Sequence, residues 1–171
     1  MKTSMIDAFE LKRNGHYKQA IEIYYKLLST LGDNVEILSE LADLYYLLNN
    51  DERAIHYVTK ALEINSEHVS SLCVMRNVYS RKKDYTEAEK IAKQVYDLTK
   101  SEKELLELIN ILEKQNKNEE IVSYAKNIID GECMYESSRA LYRLNRYNEA
   151  LSTLNSINSE NDIGESEKVL N

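Results

Sequence analysis

Apolar residues recur at steps of three and four along most of the chain, in short stripes separated by tight polar breaks. Leu38, Leu41, Ala42 and Tyr45 fall on one helix face, and after the break Leu48-Asn49-Asn50-Asp51 a second stripe follows at Ala54, Val58, Ala61 and Leu62. Asn and Asp form local backbone hydrogen bonds that compete with helix, so this break reads as a turn. Gly15 serves the same end earlier in the chain by permitting a left-handed backbone. The pattern predicts helices over 3–14, 17–30, 35–48, 51–64, 69–82, 85–98, 102–115, 118–130, 132–144 and 147–157.

The stripes repeat. Ala20, Ala54 and Ala88 stand 34 residues apart, as do Leu11, Tyr45 and Tyr79, and Tyr24, Val58 and Ala92. A fourth unit continues one residue early with Leu105, Leu108, Leu112, Ile121, Ala125 and Ile128; a fifth uses Met134, Leu141, Tyr147, Ala150, Leu154 and Ile157. The alanine column has a packing reason. Two antiparallel helices joined by a short turn approach most closely beside that turn, where a methyl group fits and little more. The tyrosine column of Tyr17, Tyr85 and Tyr147 sits next to it, placed to wedge across the hairpin.

This pattern, carried by Gly15, Tyr17, Ala20, Tyr24 and Leu27, by Leu38, Leu41, Ala42, Tyr45, Ala54 and Ala61, and by Leu72, Tyr79, Tyr85, Ala88 and Ala92, resembles the tetratricopeptide repeat. The resemblance implies an all-α fold, a right-handed superhelical solenoid of antiparallel helix pairs. About five units are expected, near 1–34, 35–68, 69–101, 102–130 and 131–158, followed by a polar tail or capping segment over 159–171. Several positions depart from the family pattern. Gly32, Ser66 and Lys100 stand where a proline usually follows the second helix, Arg76 replaces a small residue, and Ile121 replaces the alanine of unit four. Unit four is expected to be the least regular, and the shortened step near Asp130-Gly131-Glu132 to start the next helix abruptly.

Composition supports helices and narrows the chemistry. The 171 residues include no proline and four glycines, so few interruptions of regular structure are written in. With no tryptophan, one phenylalanine and 13 tyrosines, tyrosine carries the aromatic packing. A net charge of −7 disfavours nucleic acid and acidic membrane surfaces and favours a basic partner. Cys73 and Cys133 form no disulfide framework and no metal spacing. No segment is long and apolar enough to span a membrane, and MKTSMIDAFELKRNG lacks the apolar run of a secretory signal, so a cytoplasmic location is the expectation.

The resemblance implies a concave groove lined by the first helix of each pair, used for extended or helical peptides. Groove candidates are Met5, Phe9, Glu36, Glu40, Asp43, Tyr46, Asn77, Arg81, Asn110, Arg139 and Tyr142. Met5, Ile6 and Phe9 make an apolar end; Glu36, Glu40 and Asp43 beside Tyr46 make an acidic, aromatic middle. A peptide with a hydrophobic anchor and a Lys or Arg suits that pair of zones. Some family members clamp the carboxylate end of chaperone tails with Lys, Asn and Arg; the matching places here are Met5, Phe9, Glu40, Ser70 and Val74, which do not fit that role.

No catalytic residues, metal ligands or cofactor sites are expected. Glu52 and His56 lie one turn apart, but two ligands make no metal site. The four glycines form no phosphate loop, and tyrosines at helical spacing read as core. The expected function is a protein-interaction adaptor or scaffold that takes a peptide in its groove. The alternatives are a self-assembling homo-oligomeric scaffold, a secretion-type chaperone, and the repeat region of a longer enzyme.

Overall fold

The structure is a computed structural model and describes residues 4–125 and 131–156. The described residues form helices and no strands: α1 (Met5–Arg13), α2 (Tyr17–Leu31), α3 (Val35–Leu47), α4 (Asp51–Ile64), α5 (Val69–Arg81), α6 (Tyr85–Thr99), α7 (Glu102–Lys114), α8 (Asn118–Ala125), α9 (Gly131–Arg143) and α10 (147–156). The expected helices are recovered within two residues at each described boundary. The expected end of the eighth helix over 126–130, the apolar positions Ile128 and Ile157, the Asp130 part of the abrupt junction and the tail over 159–171 lie outside the described residues.

Each hairpin turn is built the same way. Gly15, Asn49, Lys83, Asn116 and Asn145 all have positive φ, between 57° and 78°. Each donates its N–H three residues back, and the next residue donates five residues back, as in Asn49 to the Tyr46 carbonyl (3.0 Å) and Asn50 to the Tyr45 carbonyl (2.9 Å). This is the Schellman motif, which satisfies carbonyls that a helix end would otherwise leave bare. Helix starts are capped as well. Ser4 and Asp7 form a reciprocal capping box on α1, and Asn34, Asn50 and Ser101 accept from the third residue of α3, α4 and α7. Such caps contribute about 1 kcal/mol each.

The chain forms two compact units, Met1–Ile91 and Ala92–Asn171. In the first, α1 packs on α2, α3 on α4, and α5 on both α3 and α4. Its core gathers Ala20, Tyr24, Ile37, Leu41, Tyr45, Ala54, Val58 and Val78, all buried. In the second, α7, α8 and α9 pack on one another around Leu105, Leu108, Ile109, Leu112, Ile121 and Leu141. The alanine column is buried at Ala20, Ala54, Ala88 and Ala150, and Ile121, its substitute, is buried too. Arg76, in the place of a small residue, is only 4% exposed, with its Nε donating to Asn77 Oδ1 at 3.2 Å.

Candidate functional site

In unit 1 the first helices α1, α3 and α5 carry the candidate residues, and their contacts fix which faces meet. Met5, Phe9 and Lys12 follow one another at steps of four and three, so they share a stripe of α1. Lys12 Nζ reaches α3, 2.7 Å from Glu40 and 2.5 Å from Asp43, which places that stripe beside α3. On α3, Glu36, Glu40 and Asp43 again follow at four and three. From α5, Arg81 reaches back to the end of α3. It donates to the Tyr46 carbonyl and to Asn49 Oδ1, both at 2.9 Å, pairs with Asp51, and lies 4.0 Å from the centre of the Tyr46 ring. A cation at the carbonyl end of a helix is favoured by the helix dipole and satisfies an acceptor there.

The apolar end is open. Ile6 is 70% and Phe9 54% exposed, with Met5 exposed beside them. The acidic middle, by contrast, is largely engaged. Glu40 and Asp43 both hold Lys12, whereas Glu36 remains exposed. Burial, and then the charge of Glu40, push the Tyr24 phenol well above its ordinary range. Burial pulls the Lys12 ammonium down, but the two carboxylates outweigh it and its affinity for a proton rises. Asn77 accepts from Arg76, so it too is tied into the unit.

In unit 2 the candidates are Asn110, Arg139 and Tyr142. Asn110 is exposed on α7. Arg139 pairs with Glu136 at 2.7 Å and Glu113 at 3.1 Å, and Arg143 joins Glu113 at 2.6 Å, linking α9 to α7. Tyr142 meets Tyr147 edge-on at 5.3 Å, so the expected tyrosine wedge across a hairpin is present there, on the surface. A shallow cleft of about 290 Å³ is lined by Tyr135, Arg139, Tyr142, Arg143, Ala150 and Leu154.

One polar cluster had no signal in the repeat columns. The Tyr25 hydroxyl lies 2.6 Å from that of Tyr45 and 2.9 Å from that of Tyr57, and Arg53 donates to Tyr45 at 3.0 Å. The Tyr45 and Tyr57 rings stack at 5.5 Å, nearly parallel. Tyr25 and Tyr57 are 32 residues apart, off the step of 34, so aligning the repeats does not pair them. Cys73 is half-buried and Cys133 buried. Among the described residues no three His, Cys, Asp or Glu side chains gather as a metal site, and no helix is long and apolar enough to cross a membrane.

Residues 11–75 match the family model of the tetratricopeptide repeat. No curated protein matches the chain. Among solved structures, a crystal structure of MamA covers 93% of this chain and 96% of its own, at 14% identity and a TM-score of 0.77. A MamA RS-1 double mutant covers 93% of each chain at 13% identity and a TM-score of 0.75. A MamA AMB-1 structure covers 91% of this chain and 88% of its own at 15% identity and a TM-score of 0.73. At such identities the likeness speaks for the fold, and the fold is the helical solenoid that the tetratricopeptide resemblance implied. The buried alanine column, the five hairpin turns with a left-handed residue and the family match over residues 11–75 together give the chain the helix-pair fold of the tetratricopeptide repeat.

Proposed function

We propose that the chain is a cytoplasmic, non-catalytic adaptor that holds a segment of another protein on the α1–α3–α5 face of unit 1. The observation that carries this reading is the exposed apolar stripe of α1, Met5 and Phe9 with Ile6 adjacent, running alongside the polar face of α3. Burying an apolar side chain of a partner against Phe9 removes area from water on both sides, and the flanking charges set orientation and on-rate. Affinity then rests on a few anchors, Phe9 and Met5 first, with Glu36 as the exposed acid on the same side as Glu40. Asn110, Arg139 and Tyr142 form the corresponding candidates of unit 2. Recognition is an equilibrium, with no bond made or broken.

The test is a quantitative pull-down from the source cell's lysate with the wild type and the double variant Phe9→Ser, Glu36→Lys. Both residues are exposed, so the variant is expected to keep its helicity and melting temperature. Proteins captured by the wild type and lost with the variant support the reading. An identical captured set places the partner surface elsewhere.

A second reading is self-association. Its support is the exposure of Met5, Ile6 and Phe9 on α1 and of Tyr135, Tyr142, Tyr147 and Leu151 on α9 and α10. Concentration-dependent mass that Ile6→Glu abolishes would favour it over the adaptor.

A further inference from the structure

Two of the cations beside α3, Arg81 and Lys12, differ in what they hold. Arg81 donates to a backbone carbonyl at the end of α3, to Asn49 in the turn and to Asp51 of α4, so it closes the α3–α4 hairpin and belongs to the fold. Lys12 holds only side chains, Glu40 and Asp43, both on one helix. Its side chain is 17% exposed, and it sits one turn beyond the exposed Phe9 on the same stripe of α1. An ammonium between two carboxylates, next to an open apolar side chain, is the arrangement that a bound segment with a basic residue and a hydrophobic anchor would make. Here the chain makes it with its own lysine. The four-carbon stem of Lys12 allows it to swing into solvent without breaking any backbone hydrogen bond.

We propose that Lys12 is a built-in occupant of the Glu40–Asp43 pair, so that a protein segment docks its lysine or arginine on the α1–α3 face only by displacing it, while a neighbouring apolar side chain packs on Phe9. This rests on the reading that the face binds a protein segment. The internal ammonium is tethered and competes at a high effective concentration. A ligand cation therefore binds only the fraction of molecules in which Lys12 has left, and its apparent affinity falls by that fraction. Segments without a basic residue meet no such competition, because they do not need the acid pair. Glu40 and Asp43 both lie on α3, so the carboxylates keep their spacing on one helix when Lys12 leaves.

The experiment uses the full chain and two fluorescein-labelled, terminally blocked peptides with the same phenylalanines, one carrying lysines and its twin carrying glutamines. Fluorescence anisotropy at low salt reads binding to the wild type, Lys12→Gln, Lys26→Gln as a charge-matched control on exposed α2, and Lys12→Gln with Glu40→Gln and Asp43→Asn. The lysine peptide is expected to bind Lys12→Gln about tenfold more tightly than the wild type. The Lys26→Gln control and the glutamine peptide should show no such gain, and the triple variant should lose it. Equal or weaker binding of the lysine peptide to Lys12→Gln makes Lys12 a structural tie and overturns the proposal. If the wild type binds in that case, the interaction-face reading stands. A gain shared by both peptides also overturns the proposal. If neither peptide binds any variant, the proposal and the face reading fall together. A measurement on the unmutated chain guards against misfolding of the variants. Adding lysine peptide should move the Lys12 side-chain ¹³Cε resonance to the position of a solvated lysine, and a resonance that stays in place while peptide binds refutes displacement.

Discussion

Ala54→Leu probes the packing rule behind the repeat. Ala54 is fully buried, in the first turn of α4, and its N–H donates to the Asn50 carbonyl at 3.0 Å. It shares the unit 1 core with Leu41, Tyr45 and Val58. A leucine brings three more carbons into a site with no exposed surface, and overpacking of this kind costs about 1–3 kcal/mol. Going the other way, Ala54→Gly removes a buried methyl, about 0.8 kcal/mol, and adds about 1 kcal/mol of helix-propensity cost. The position should therefore have its optimum at a methyl, with both variants less stable. For a chain of this size 1 kcal/mol moves the melting temperature by about 2–4 °C, so a fall of about 4–8 °C is expected for a 2 kcal/mol loss. Thermal melts followed by circular dichroism read this, with Glu63→Leu, on an exposed position of the same helix, as a control expected within about 0.5 kcal/mol of wild type. An Ala54→Leu melt that coincides with wild type would refute the close approach of the hairpin helices.

The turn geometry and the titrating groups give three more expectations. Lys83 holds a φ of 61°, a region that costs a side chain with a Cβ about 1 kcal/mol, so Lys83→Gly should raise the melting temperature, and a fall would contradict the turn assignment. Burial pushes the phenols of Tyr24, Tyr25 and Tyr45 above their ordinary range. The folded chain then keeps protons that the unfolded chain releases, so their contribution is complete below about pH 10 and falls as pH rises through the folded-state values. Urea melts across that window should show the loss, and Tyr24→Phe should flatten it; an unchanged slope would count against the burial. The Arg143 hydrogen bond, opposed by burial and aided by Arg139, lowers the Glu113 carboxyl. Its stabilisation is present above about pH 4.3 and is lost as pH falls through the lowered folded-state value. Glu113→Gln should therefore melt earlier than wild type at neutral pH and together with it in strong acid, and equal melting at neutral pH would contradict the α7–α9 link.

What the sequence made legible follows from the range of each interaction. Helices, turns and the alanine column depend on residues close in sequence, and the step of 34 multiplies that local signal. The positive-φ residues at 15, 49 and 83 keep the step, and those at 116 and 145 record the shortening expected in the later units. The state of the candidate face was not legible, because it is set by side chains that no column pairs. Lys12 reaches acids 28 and 31 residues away, and its own column holds Tyr46, which gives no hint of a cation on an acid pair. Arg81 was read as a groove residue, yet its backbone acceptor and turn contacts depend on how α5 packs against α3 and α4. The Tyr25–Tyr45–Tyr57 cluster escaped for the same reason: hydroxyls from three helices meet at positions out of register with the repeat.

The central claim is that the exposed stripe of α1 serves another protein rather than a second copy of this one. Light scattering on the purified chain across a wide concentration range tests it most directly. A constant mass near 19.9 kDa is the predicted result. A mass that climbs with concentration, and returns to that of one chain in Ile6→Glu, would contradict the claim and make the chain its own partner.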